Sequence, residues 1–136
     1  MISLTLEIVK LENKLPCGKI VFNNSVIHDG EYNENTFKFK PIIGTNILKI
    51  SLENKVENRD TVLKGNQIVK DLAVIIKDIR CEITKDQVTM YDDVGIYETD
   101  RGETLKTHGY LSYNGTYTFK FDYPLFVFQR NKLFYQ

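Results

Sequence analysis

The sequence predicts an all-β protein folded as an antiparallel β-sandwich, and three observations carry that expectation. Apolar side chains alternate with polar ones at a period of two in segment after segment. Turn-forming Gly, Pro, Asn and Asp recur about every ten residues. No apolar stripe of helical spacing runs through the body of the chain. The 136 residues suit one domain, residues 1–136, long enough to fold without a metal or a disulfide framework.

The chain opens as a strand, since Ile2, Leu4, Leu6 and Ile8 alternate with Ser3, Thr5, Glu7 and Val9. Pro16 and Gly18 predict the first turn. Ile20, Phe22, Val26 and Ile27 then make a second strand, with Asn23-Asn24 read as a bulge within it. Asp29-Gly30 turns the chain again. Phe37 and Phe39 take one face of the next strand and Lys38 and Lys40 the other, until Pro41 stops the pairing. Leu48, Ile50 and Leu52 point inward against Lys49, Ser51 and Glu53, the cleanest alternation in the protein.

The polar stretch that follows, with Gly65-Asn66, reads as a long loop or a small hairpin. In "LAVIIKDIRCEI", Leu72, Val74 and Ile76 share one parity and Ile79, Cys81 and Ile83 the other. A bulge near Lys77-Asp78 brings both sets to the core. Short strands are expected at "QVTMY" and "VGIYE", on either side of Asp92-Asp93. Tyr113-Asn114-Gly115-Thr116 predicts a type I′ hairpin turn, because Asn-Gly tolerates positive φ, and Tyr117, Phe119 and Phe121 alternate after it. The closing "PLFVFQRNKLF" fits a helix or a strand. About eight short strands with regular turn signals predict a sandwich of jelly-roll kind.

Composition narrows the function. The 18 basic and 18 acidic side chains cancel, so no long-range field exists to hold a phosphate backbone or an anionic membrane surface; neither nucleic acid nor membrane is expected as a partner. "MISLTLEIVKLENK" lacks the basic start and unbroken apolar run of a secretion signal, and no segment has the length of a membrane span. The expectation is a product made in the cytoplasm, leaving it only as part of something larger. Cys17 and Cys81, in no CxxC arrangement, form either one bridge or, the reading preferred, two reduced buried thiols.

Catalysis needs groups that converge, and the motifs for it are absent. His28 and His108 stand in no metal-binding spacing and read as strand-end or loop side chains. No GxSxG elbow or phosphate-cradling Gly loop occurs, so no enzyme is predicted. "YDDVGIYETDRGE" gathers Asp92, Asp93, Glu98, Asp100 and Glu103. Asp92, Asp93 and Asp100 are candidate ligands for Ca²⁺, which takes six to eight oxygens from loops of this kind. The alternative is a solvated loop balanced by Arg101 and Lys106.

Ten of the sixteen Phe and Tyr lie between Tyr110 and Tyr135. Tyr117, Phe119 and Phe121 share one strand face and are assigned to the core. Tyr110, Tyr113 and Tyr123 lie near turns, and with Phe134 and Tyr135 of the apolar C-terminal "LFYQ" they are the candidate contact residues for a glycan or another protein.

Two segments carry a resemblance. "GTNILKISLEN" and "KDLAVIIKDIRCEI", with Asn58-Arg59-Asp60 between them, resemble the centre of calcium-dependent carbohydrate-binding modules of the xylan-binding sort, which are jelly rolls. The same segments, followed by "YNGTYTFKFDYP", are similar to those of small virion proteins of tailed phages. The modules use an ordered Asp-Arg-Asn element that this chain has in another order, so the resemblance implies the fold and not the ligand site. The leading expectation is a non-enzymatic subunit of a phage particle (tail, neck, fibre or head decoration), located in the virion. It would act through contacts with other protein subunits, homo-oligomeric contacts among them. The alternative is a glycan-binding module using Tyr32, Tyr91, Tyr97 or Tyr113, with or without calcium.

Overall fold

A computed structural model describes residues 1–56, 61–64, 67–83, 86–89, 95–105 and 109–123. The chain is all-β: two antiparallel sheets pack face to face as a β-sandwich. The first sheet is built on β1 (Ile2–Val9), which pairs with β4 (Thr36–Phe39) on one side and with the long β8 (Ala73–Ile83) on the other. The far edge of β8 takes β12 (Tyr110–Leu111) near its start and β9 (Asp86–Thr89) near its end. The second sheet runs β11 (Thr104–Leu105), β10 (Ile96–Thr99), β13 (Gly115–Tyr123), β5 (Gly44–Leu52), β2 (Cys17–Phe22), β3 (Ser25–Glu31). Among the described residues, a third, two-stranded sheet consists of β6 (Thr61–Lys64) and β7 (Gln67–Asp71) alone. These strand orders do not establish the jelly-roll winding expected from the sequence.

The core lies between the two main sheets and is made by the inward parity of each strand. Ile2, Leu4, Leu6, Phe37, Phe39, Val74, Ile76, Ile79 and Cys81 come from one side, and Ile20, Phe22, Leu48, Ile50, Tyr97, Tyr117 and Phe119 from the other. The parity change in β8 occurs where expected. Thr5 faces Asp78 and Leu6 faces Ile76, so Lys77 is the extra residue of a bulge, and Val74 and Ile76 before it and Ile79 and Cys81 after it all reach the core. Tyr117 and Phe119 are buried and Phe121 packs against them, as assigned.

Several turns lie elsewhere than expected. The first reversal is at Glu12-Asn13, closed by the Leu11–Lys14 bridge, with Glu12 at φ 56°; Gly18 is inside β2. A Cβ on Gly18 would stand 1.9 Å from the Ser51 carbonyl oxygen and 2.7 Å from the Tyr32 hydroxyl, so glycine is needed for packing rather than for turning. Asn23-Asn24 is not a bulge but the two-residue turn of the β2–β3 hairpin, both residues in the left-handed region (φ 49° and 67°) that a type I′ turn demands. Consequently Val26 and Ile27, expected in one strand with Ile20 and Phe22, belong to β3, where they lie exposed, and Asp29-Gly30 continues that strand instead of ending it.

Conversely, Asn114-Gly115 is not a hairpin turn. It is the crossing from β12 in one sheet to β13 in the other, and neither residue has a positive φ. Gly115 is required because a Cβ there would meet the Glu98 carbonyl oxygen at 2.4 Å. The long loop or small hairpin expected between Val56 and Leu72 contains the β6–β7 hairpin. Cys17 and Cys81 are not joined in a disulfide; Cys81 is buried and Cys17 half-buried rather than enclosed.

Candidate functional site

Among the described residues a cluster of buried polar groups lies at the end of the sandwich where β5 stops and β12 crosses to β13. Lys55, just beyond β5, and Asp71, the last residue of β7, form an ion pair whose side chains are 6% and 4% exposed. The ammonium also donates to the Ser112 carbonyl oxygen, and Tyr110 donates its hydroxyl to the other Asp71 oxygen at 3.1 Å. Two buried charges are tolerable only with this degree of pairing, since each loses its hydration on folding. Burial, together with the negative charge and hydrogen bond of Asp71, pushes the Tyr110 phenol up to about 12.

The same cluster grips the crossing segment. The Asn114 side chain behaves as a substitute strand, accepting from the Lys55 main-chain N–H at 2.8 Å and donating to the Lys55 carbonyl at 2.7 Å. The buried Tyr97 hydroxyl donates to the Tyr113 carbonyl and accepts from the Tyr113 N–H at 3.2 Å. The Asn114 carbonyl accepts from Asp100 N–H at 2.9 Å. With its main chain held at these points, the segment presents the Tyr113 ring to solvent, 48% exposed, with the Lys55 ammonium 5.8 Å from the ring centroid. Burial raises the Tyr97 phenol well above the ordinary tyrosine range, so it stays a neutral donor.

A second feature lies at the opposite end. The Asn46 side chain binds Ile42 through both its N–H and its carbonyl, and receives a hydrogen bond from Asn23 at 2.9 Å. This ties the β4–β5 loop to the β2–β3 turn and leaves Ile42, Ile43 and Val26 exposed at 54%, 85% and 60%. Nearby, β3 is the outermost strand of its sheet among the described residues.

The fold therefore divides the expected contact residues. Tyr110 and Tyr113 come together, Tyr110 half-buried against Asp71 and Tyr113 exposed. Tyr123 ends β13 opposite Gly44, about 26 Å from Gly115 at the usual rise per strand residue and so at the far end of the strand from Tyr113, and packs against the core. Phe134 and Tyr135 lie outside the described residues, as do Asp92 and Asp93 of the expected calcium site, His108 and the Asn58-Arg59-Asp60 element. Asp100 is exposed in the turn after β10, and among the described residues no group of three metal-ligating side chains occurs.

Of the tyrosines considered for sugar stacking, Tyr32 and Tyr97 are fully buried and cannot face a ligand, and Tyr91 is outside the described residues. The Tyr32 hydroxyl instead wedges between β2 and β5, directed at the carbonyls of Ser51 (2.5 Å) and Lys19 (3.2 Å). His28 is not at a strand end but within β3, stacked on Tyr32 with ring centroids 5.0 Å apart.

Sequence reasoning missed Lys55, Asp71 and Asn114. Lys55 and Asp71 flank the polar stretch and look like solvated loop charges; the only local signal is that each adjoins a strand end. No protein-family model matches the chain, and neither a curated protein nor a solved structure matches it. Among the described residues no helix is long and apolar enough to cross a membrane.

Proposed function

We propose that this chain is a non-enzymatic assembly subunit of a larger particle, acting through protein–protein contacts, and that the particle is a tailed-phage virion. The observation that carries the contact reading is the Tyr113 ring, exposed on a segment whose main chain is already held by Tyr97, Lys55 and Asp100. An aromatic side chain has few rotatable bonds, and on a main chain already held it loses little freedom on association, which is how a small patch becomes an energetic anchor. The exposed Ile42 and Ile43, adjacent in the β4–β5 loop, and Val26 on β3 support the same reading, because large apolar side chains left in water favour a partner. The phage assignment comes from the sequence resemblance.

Co-expression with the products of neighbouring genes, followed by size-exclusion chromatography, tests the reading. A stable complex that Tyr113→Ala or Ile43→Asp weakens about ten-fold or more is the expected result. A chain that elutes as a monomer beside every one of those products overturns it. Tyr113 also favours a second reading, a glycan-binding module, for it is the one described tyrosine of that set with an exposed ring. A blank glycan array together with a blank calcium titration sinks that alternative.

A further inference from the structure

We propose that the β6–β7 hairpin is an intermolecular arm that pairs along the outer edge of β3 in a second copy of this chain. The inference rests on the assembly reading above and names one of its partners. Among the described residues, β6 and β7 pair with each other and with no strand of either main sheet. A two-stranded hairpin by itself is marginal in water and gains stability when a third strand or a packing surface completes it.

The base of the hairpin is nevertheless fixed. Lys55 and Asp71 flank it in sequence, and their buried ion pair, held further by Tyr110 and Ser112, closes the two ends of the excursion against the sandwich. A buried charge pair is an expensive way to join two segments, and its best-attested use is to specify one geometry. Here it fixes where the arm leaves the fold.

Charge selects the receiving edge. β6 and β7 include Lys64 and Lys70, and their one carboxylate, Asp71, is taken by Lys55, whereas residues 25–31 include Asp29 and Glu31 and no Lys or Arg. Among the described residues β3 is the terminal strand of the six-stranded sheet, and Asp29 and Glu31 are exposed on it. It carries the devices that discourage two identical edges from pairing: a bulge at Ile27, Gly30 at φ 118°, and these two carboxylates. The same acidic edge attracts a basic strand. Because arm and edge are different surfaces, every copy offers both, and the contact is head-to-tail, building a ring where the rotation closes and a filament where it does not.

Sedimentation velocity on the full chain tests this. The expected result is concentration-dependent association that weakens as salt is added. An arm-reversed chain (Lys64→Glu with Lys70→Glu) and an edge-reversed chain (Asp29→Lys with Glu31→Lys) should each self-associate at least about ten-fold more weakly than the parent. Mixed together, the two should associate again, a rescue that misfolded variants cannot produce. Association indifferent to both charge reversals overturns the proposal, as does a mixture that stays monomeric. A chain monomeric alone but retained by a neighbouring gene's product overturns the arm and leaves the assembly reading standing; failure of both overturns both.

Discussion

Lys55 and Asp71 show how burial changes the meaning of a charged residue. In solvent such a pair contributes at most about 1 kcal/mol, but here both side chains are enclosed and the partners of each are specified. Lys55→Met removes the cation beside a buried carboxylate and should cost about 3–5 kcal/mol in urea denaturation. Lys55→Met combined with Asp71→Leu should recover part of that loss, since an apolar pair carries no desolvation penalty, while the Tyr110 hydroxyl and the Ser112 carbonyl lose these partners. A double variant as unstable as the single one would show that packing, not charge, dominates the site. The aromatic residues divide in the same way. Phe119→Ala should cost about 3–5 kcal/mol, because Phe119 is 2% exposed, and Tyr113→Ala about 1 kcal/mol or less, because its ring is half in water. Equal losses in the two variants would refute the division between core and contact surface.

Among the elements, the two Asn-containing steps carry the sharpest contrast. The Asn-Gly step obeys the usual hairpin signature yet crosses between sheets, while Asn23-Asn24 makes the hairpin turn. The reason is long-range. Asn114 is held by the main chain of Lys55, 59 residues away, and Gly115 lies against the Glu98 carbonyl, so packing and not φ selects both residues. At Asn23, by contrast, the side chain accepts from Ile47 N–H at 2.8 Å and reaches Asn46, so the turn is pinned to β5 as well as to its own strands. Asn24→Val forces a β-branched residue into the left-handed region and should cost about 1–2 kcal/mol, whereas Asn24→Gly should be neutral or better. Paired thermal melts of the two variants check this; equal melting temperatures would remove the turn from the account.

For the molecule as a unit, pH reports on three tyrosines at once. Tyr32, Tyr97 and Tyr110 all have phenols raised by burial, Tyr110 to about 12. A folded pKa above the unfolded value of about 10 means that the native state keeps its protons where the unfolded chain releases them. Their contribution to stability is therefore complete below about pH 10 and is lost as pH rises above it through the folded values. Thermal melts across alkaline pH should show the melting temperature falling from about pH 10, in step with tyrosinate absorbance appearing on unfolding. A flat profile to pH 12 would mean that these hydroxyls are not enclosed as described.

The strands were legible because alternation is local. Ile2 to Ile8, Leu48 to Leu52 and the parity change at Lys77 each follow from a handful of neighbouring residues, and the sandwich follows from many such strands. Burial of Tyr32, exposure of Val26 and the meeting of Lys55 with Asp71, Tyr110 and Asn114 had no such local cause. They depend on which sheet each strand joins. That choice is made by contacts between residues tens of positions apart, and a period of two is the same whichever sheet a strand enters.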